Sequence, residues 1–91
     1  MTPREFLVTI EDGPLGLPYA QIKGTMMVEE DFPTSFSANL ARKDAGLVLD
    51  TAEAHDLAMP IARAVAARFD EAIQAGHGEE DMAAIFRAAN V

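Results

Sequence analysis

Phe36-Ser37-Ala38-Asn39-Leu40-Ala41-Arg42-Lys43-Asp44-Ala45-Gly46-Leu47-Val48-Leu49-Asp50-Thr51-Ala52 runs without a proline and repeats its apolar residues at helical spacing. Thr34 or Ser35 can cap this segment, because a short side-chain oxygen just before a periodic run satisfies free helix amides. Phe36, Leu40, Leu47 and Ala54 then fall near one face, and Lys43 lies between Leu40 and Leu47 on that stripe. The chain has only two lysines, Lys23 and Lys43. A lysine within an apolar stripe either snorkels to water or meets an anion. A surface ion pair with a helix neighbour is the simpler reading of Arg42-Lys43-Asp44 from the pattern alone.

Towards the N-terminus, Thr2, Pro3 and Glu5 form a capping box with proline at the first helical position. Phe6 and Ile10 share a face, and Asp12-Gly13 ends that helix. The segment from Pro14 to Pro18 is stiff. Pro18 opens a second helix carrying Tyr19, Ile22 and Met26, with Gly24 weakening its interior. Glu29-Glu30-Asp31-Phe32-Pro33 reads as a loop.

Towards the C-terminus, Pro60 starts a fourth helix whose stripe is Ile61, Val65, Phe69 and Ile73, and Gly76 is a natural C-cap. Glu79, Glu80 and Asp81 place negative charge on the first turn of a fifth helix, followed by Met82, Ile85, Phe86 and Ala89. Alanines are dense between Ala52 and Ala89, so the helices there can approach closely. No segment alternates as a strand would. The class is all-α with four or five helices.

Composition narrows the function. The 91 residues suit one small domain with no dividing linker, burying about 60% of its unfolded surface. A net charge of -8 argues against nucleic acid and anionic membranes. There is no cysteine, hence neither a disulfide nor a thiolate metal site. No apolar run is long enough for a membrane span or secretory signal, and a cytoplasmic location is expected. His55 and His77 have no second ligand at metal spacing and read as exposed or helix-capping residues. The two acidic runs lack the alternation of a calcium loop and read as solvated. Gly13-Pro14-Leu15-Gly16 follows no strand, so it reads as a turn and not a phosphate cradle.

The segment from Phe36 to Ala52, with its Lys43-Asp44 pair, resembles a signature of the β-hydroxyacid dehydrogenases, the family of 3-hydroxyisobutyrate dehydrogenase and tartronate semialdehyde reductase. Gly13-Pro14-Leu15-Gly16 with Tyr19 and Lys23-Gly24 resembles the family's preceding helix. Met59-Pro60 resembles its next helix start, and Gly76-His77-Gly78-Glu79-Glu80-Asp81 its turn into the last helix. The order and spacing extend over nearly the whole chain. His55 is a departure, standing where the family often has glycine.

The resemblance implies a C-terminal helical domain, residues 1–91, of the 6-phosphogluconate dehydrogenase C-terminal domain-like fold. In that family it follows a Rossmann domain and a connecting helix. This chain has no Gly-x-Gly-x-x-Gly, no substrate-binding Ser-Gly-Gly and no Lys-x3-Asn, so it is expected to be inactive alone and to carry no catalytic residue. By resemblance Lys43 reaches the cofactor, NAD or NADP, near its nicotinamide end, and Phe36 lies at the same cleft. Asp44 is expected to brace the helix by a salt bridge or hydrogen bond. The implied substrate is a small 3-hydroxy acid and the implied assembly a homo-oligomer. A non-catalytic oligomerisation scaffold derived from the same domain is the alternative.

Overall fold

The computed structural model describes residues 1–89 and is all-helical, with no strand among them. α1 spans Pro3–Ile10, α2 Pro18–Glu29, α3 Ala38–Ala54 and α4 Pro60–Ala72. A π-helical turn Ile73–His77 and a 3-10 turn Met82–Ile85 lead into α5, Phe86–Ala89. No described helix is long and apolar enough to cross a membrane. The chain packs as two compact units, Met1–Phe32 and Pro33–Val91, which divide within the loop before α3.

In the first unit, Thr2 Oγ1 accepts the Glu5 amide at 3.1 Å, as the capping box requires. The buried residue of α1 is Leu7, while Phe6 is exposed, so the Phe6–Ile10 face is not the one that packs. Leu7 fits a notch left by Gly24, where a Cβ would stand 2.6 Å from Leu7 Cδ2. The glycine that weakens α2 is thus what lets α1 approach it. Gln21 Nε2 also donates to the Leu7 carbonyl at 3.2 Å. At Gly16 a Cβ would strike the carbonyl oxygens of Ile10 and Glu11, so the chain can double back over the end of α1 only with glycine there. α2 runs one residue into the expected loop and stops at Glu30, which takes the left-handed conformation with φ 51°.

In the second unit, α3 and α4 pack through small residues, as the alanine density predicted. Ala38, Ala41 and Ala52 of α3 and Ala66, Phe69 and Ala72 of α4 are buried. Ile73, Met82 and Ile85 close over the Ala38–Ala41–Phe69 cluster. The large apolar residues follow the sequence stripes only in part: Phe69 is inside, whereas Ile61 and Val65 face out. Gly76 has φ 97° at the end of the π-helical turn, which explains the glycine there.

The start of α3 differs from the sequence reading. Its cap is Ser37, whose Oγ accepts the Leu40 amide at 3.2 Å, so Phe36 precedes the helix. The physical cause is Asp81, whose Oδ1 accepts the amides of Ser35 and Phe36 and draws both residues out of helical geometry. The C-terminal acidic run is also placed differently. Glu79 and Glu80 precede the last helical segment, and Asp81 caps the 3-10 turn by accepting the Ala83 amide at 3.0 Å.

Candidate functional site: the outward face of α3

Because α3 turns its alanines inward, its large side chains face away from the core. Leu40 is 49% exposed and Leu47 57%, and Lys43 between them is also exposed. Spacings of three and four residues put these three on one helix face. Phe36 is 39% exposed at the foot of the helix. The two predicted site residues, Phe36 and Lys43, are thus both accessible and attached to the same end of one rigid element.

Adjacent cations on α3 have different surroundings. Arg42 reaches across to α4, with Nε 2.7 Å from Asp70 Oδ1. Gly46 leaves room for its guanidinium, because a Cβ there would stand 3.1 Å from Arg42 Nη1. Among the described residues Lys43 joins no ion pair or hydrogen bond. The ion pair of this cluster thus belongs to Arg42 and runs to α4, not to a neighbour on the same helix. Asp44 is exposed and, among the described residues, makes neither the salt bridge nor the hydrogen bond expected of it. The bracing carboxylates are Asp70 and Asp81.

The N-terminus of α3 is not available to an anion. The amides of Ala38 and Asn39 donate to the carbonyls of Glu80 and Gly78, each at 2.9 Å. Those of Leu40 and Ala41 are taken by Ser37. The helix-terminus mode of phosphate binding is closed here, and the positive group on this face is the Lys43 ammonium. Further along α3, Leu47, Val48, Thr51 and Ala52 join Leu57 and Met59 around an open, apolar hollow of about 330 Å³.

His55 is exposed and helix-capping as the sequence suggested, whereas His77 is half-buried and paired with Glu80. His55 caps the C-terminus of α3, its Nδ1 lying 2.9 Å from the Thr51 carbonyl oxygen. His77 Nδ1 lies 2.6 Å from Glu80 Oε1. Arg87 also grips Glu80, with Nε and Nη2 at 3.0 and 3.1 Å. That guanidinium, helped by His77 and opposed by burial, holds the Glu80 carboxyl below its ordinary value. No cluster of three or more metal-ligating side chains occurs among the described residues. Sequence reasoning missed Asp81, buried at 0% exposure. Its only available signal was its place at the end of the Gly76–Asp81 turn.

A family model described as NAD-binding of NADP-dependent 3-hydroxyisobutyrate dehydrogenase matches residues 5–89. The chain belongs to this family. It is 34% identical over 73 residues to an uncharacterized oxidoreductase, YfjR, of Bacillus subtilis (strain 168), covering 79% of this chain and 26% of that protein. Its fold matches a crystal structure of 3-hydroxyisobutyrate dehydrogenase (ygbJ) from Salmonella typhimurium with a TM-score of 0.83 and 25% identity, covering 93% of this chain and 30% of that one. The chain thus spans between a quarter and a third of these relatives' length.

Proposed function

We propose that this chain forms the C-terminal helical domain of an NAD(P)-dependent dehydrogenase that oxidises a small 3-hydroxy acid or runs the reverse reaction. In that role the outward face of α3 is one wall of the cofactor cleft. The observation that carries the reading is the pair of adjacent cations: Arg42 is committed to Asp70, while Lys43 stands unpaired in an apolar stripe. An ammonium so placed suits an anionic dinucleotide, and a cleft that excludes water strengthens the attraction. Phe36 supplies an apolar surface at the foot of the same helix. The cofactor, when bound, accepts or delivers the hydride. Lys43 binds and orients it, and Leu40 and Leu47 keep water from that wall.

On this reading catalysis and the choice between NAD and NADP lie outside the chain, as does most of the cofactor's binding. The exposed apolar face of α4, with Ile61 and Val65, would be covered in a homo-oligomer of a cytoplasmic enzyme. The alternative, a helical scaffold without chemistry, keeps that face but gives Lys43 no task. The test is hydride transfer by the enzyme that carries this chain as its C-terminal domain, with both nucleotides and a panel of small 3-hydroxy acids. Turnover is expected from that enzyme and none from the 91 residues alone. An enzyme that binds neither nucleotide would favour the scaffold.

A further inference from the structure

Asp81 is the buried charged residue of the described chain, at 0% exposure. A carboxylate so enclosed is costly unless donors surround it. Its Oδ1 accepts the Ser35 amide at 3.0 Å, the Ser35 hydroxyl at 3.0 Å and the Phe36 amide at 3.2 Å. Its Oδ2 accepts the Ala83 amide at 3.0 Å. The next residue completes the grip, because the Met82 amide donates to the Phe36 carbonyl at 2.7 Å. Phe36 is therefore fixed at both its amide and its carbonyl by consecutive residues of another loop.

The same loop continues along the chain. Thr34 Oγ1 donates to the Glu79 carbonyl at 2.7 Å, and the Ala38 and Asn39 amides donate to Glu80 and Gly78. Asn39 packs so tightly on Gly78 that a Cβ there would lie 2.5 Å from Asn39 Oδ1. Residues 78–82 are thus a template against which residues 34–39 are laid. A cap alone would require only the Ala83 bond. The other three bonds aim elsewhere, two at Ser35 and one at Phe36, the residue that opens the outward face of α3.

We infer that Asp81 is a positioning residue: its carboxylate sets Phe36 and the first turn of α3, and through them the wall proposed above to meet the cofactor. The inference rests on that reading for its functional consequence but not for its structural one. Asp81→Ser separates the two duties of the carboxylate. A serine still caps the 3-10 turn through Ala83, because serine is a good cap, but it is too short to reach Ser35 and Phe36.

Residue-level hydrogen exchange of the 91-residue chain reads the structural consequence. Asp81→Ser is expected to speed exchange of the Ser35 and Phe36 amides about ten- to a hundredfold relative to Phe69 in α4. If both amides change only in step with Phe69, the inference is overturned. If Asp81→Ser does not fold, the isosteric Asp81→Asn serves. Its amide group cannot accept at both oxygens' positions, so it must release either the loop or Ala83.

The functional consequence is read in the whole enzyme by a double-mutant cycle on the NADPH and NADH dissociation constants. Asp81→Ser is expected to weaken binding about tenfold, and the loss is expected to vanish once Phe36→Ala is present, because interacting residues are not additive. Additive effects would mean that Asp81 supports the fold without positioning Phe36. If Phe36→Ala by itself leaves both constants unchanged, the cleft reading of Phe36 fails and takes this functional role with it. Hydrogen exchange then still decides whether Asp81 holds the loop.

Discussion

Replacing Asp81 with alanine removes the acceptor for four donors at once. The Ser35 hydroxyl belongs to an exposed residue and can turn to water at little cost. The Ala83 amide is a lost cap, worth about 1 kcal/mol. The Ser35 and Phe36 amides are partly buried and bond to a charged acceptor, so each loss costs about 1.5 kcal/mol, the low end for a charged hydrogen bond. Relief of the carboxylate's own desolvation offsets part of this. The net expectation is about 2–4 kcal/mol, a large share of the roughly 5–14 kcal/mol that a domain of this size holds. In melting temperature that is a fall of at least about 10 °C. The assay is urea unfolding followed by far-ultraviolet circular dichroism, with Asp44→Ala as the control because Asp44 is exposed and makes no described bond. A loss below about 1 kcal/mol for Asp81→Ala, or one no larger than the control's, would refute the view of Asp81 as the anchor of this unit.

Arg42→Ala breaks the Arg42–Asp70 pair, whose side chains are 32% and 47% exposed, and is expected to cost about 0.5–1 kcal/mol in the same unfolding assay. No change would mean that the pair is fully screened. Glu80 has its carboxyl held down by Arg87 and His77, so its stabilising contribution is complete above the ordinary value of 4.5 and fades as pH falls through the lowered one. The stability gap between the native chain and Glu80→Gln is therefore expected to be constant near neutrality and to close in acid. A gap that widens in acid would contradict the sign. The 91-residue chain, with Leu40, Leu47, Leu57 and Ile61 exposed, is expected to form a dimer or larger species by light scattering at high micromolar concentration. A pure monomer would show that these faces need no cover.

Much of this organisation is legible in the residues themselves. Thr2, Pro18 and Pro60 mark helix starts by local chemistry, and the structure places the starts there, whereas α4 ends at Ala72 and Gly76 falls in the π-helical turn that follows. The class followed from helical spacing without any alternating segment. What the stripe could not reveal is which way it faces. Alanines make the contact with α4, and Leu40 and Leu47 face out. Close packing of small side chains leaves little periodic signal. Phe36 read as helical because the segment's own pattern continues through it, whereas its conformation is set by Asp81, distant in sequence. Asp81 in turn read as solvated because it ends an acidic run, and only tertiary structure shows which of three neighbouring carboxylates is enclosed. Gly24 read as a weak point because its purpose lies in Leu7, on another helix.

Lys43 is where the functional account is most exposed to test. In the enzyme that carries this domain, the NADPH and NADH dissociation constants of Lys43→Ala and Arg42→Ala should be measured side by side, with the melting temperature of each. A lost charged hydrogen bond is worth about 1.5–3 kcal/mol, so Lys43→Ala is expected to weaken cofactor binding roughly ten- to a hundredfold while leaving the melting temperature unchanged. Arg42→Ala is expected to show the opposite pattern, with stability lowered and affinity nearly intact, because its guanidinium is turned to Asp70. If Lys43→Ala binds both nucleotides as tightly as the native enzyme, or if Arg42→Ala proves the more damaging to binding, the outward face of α3 is not the cofactor wall.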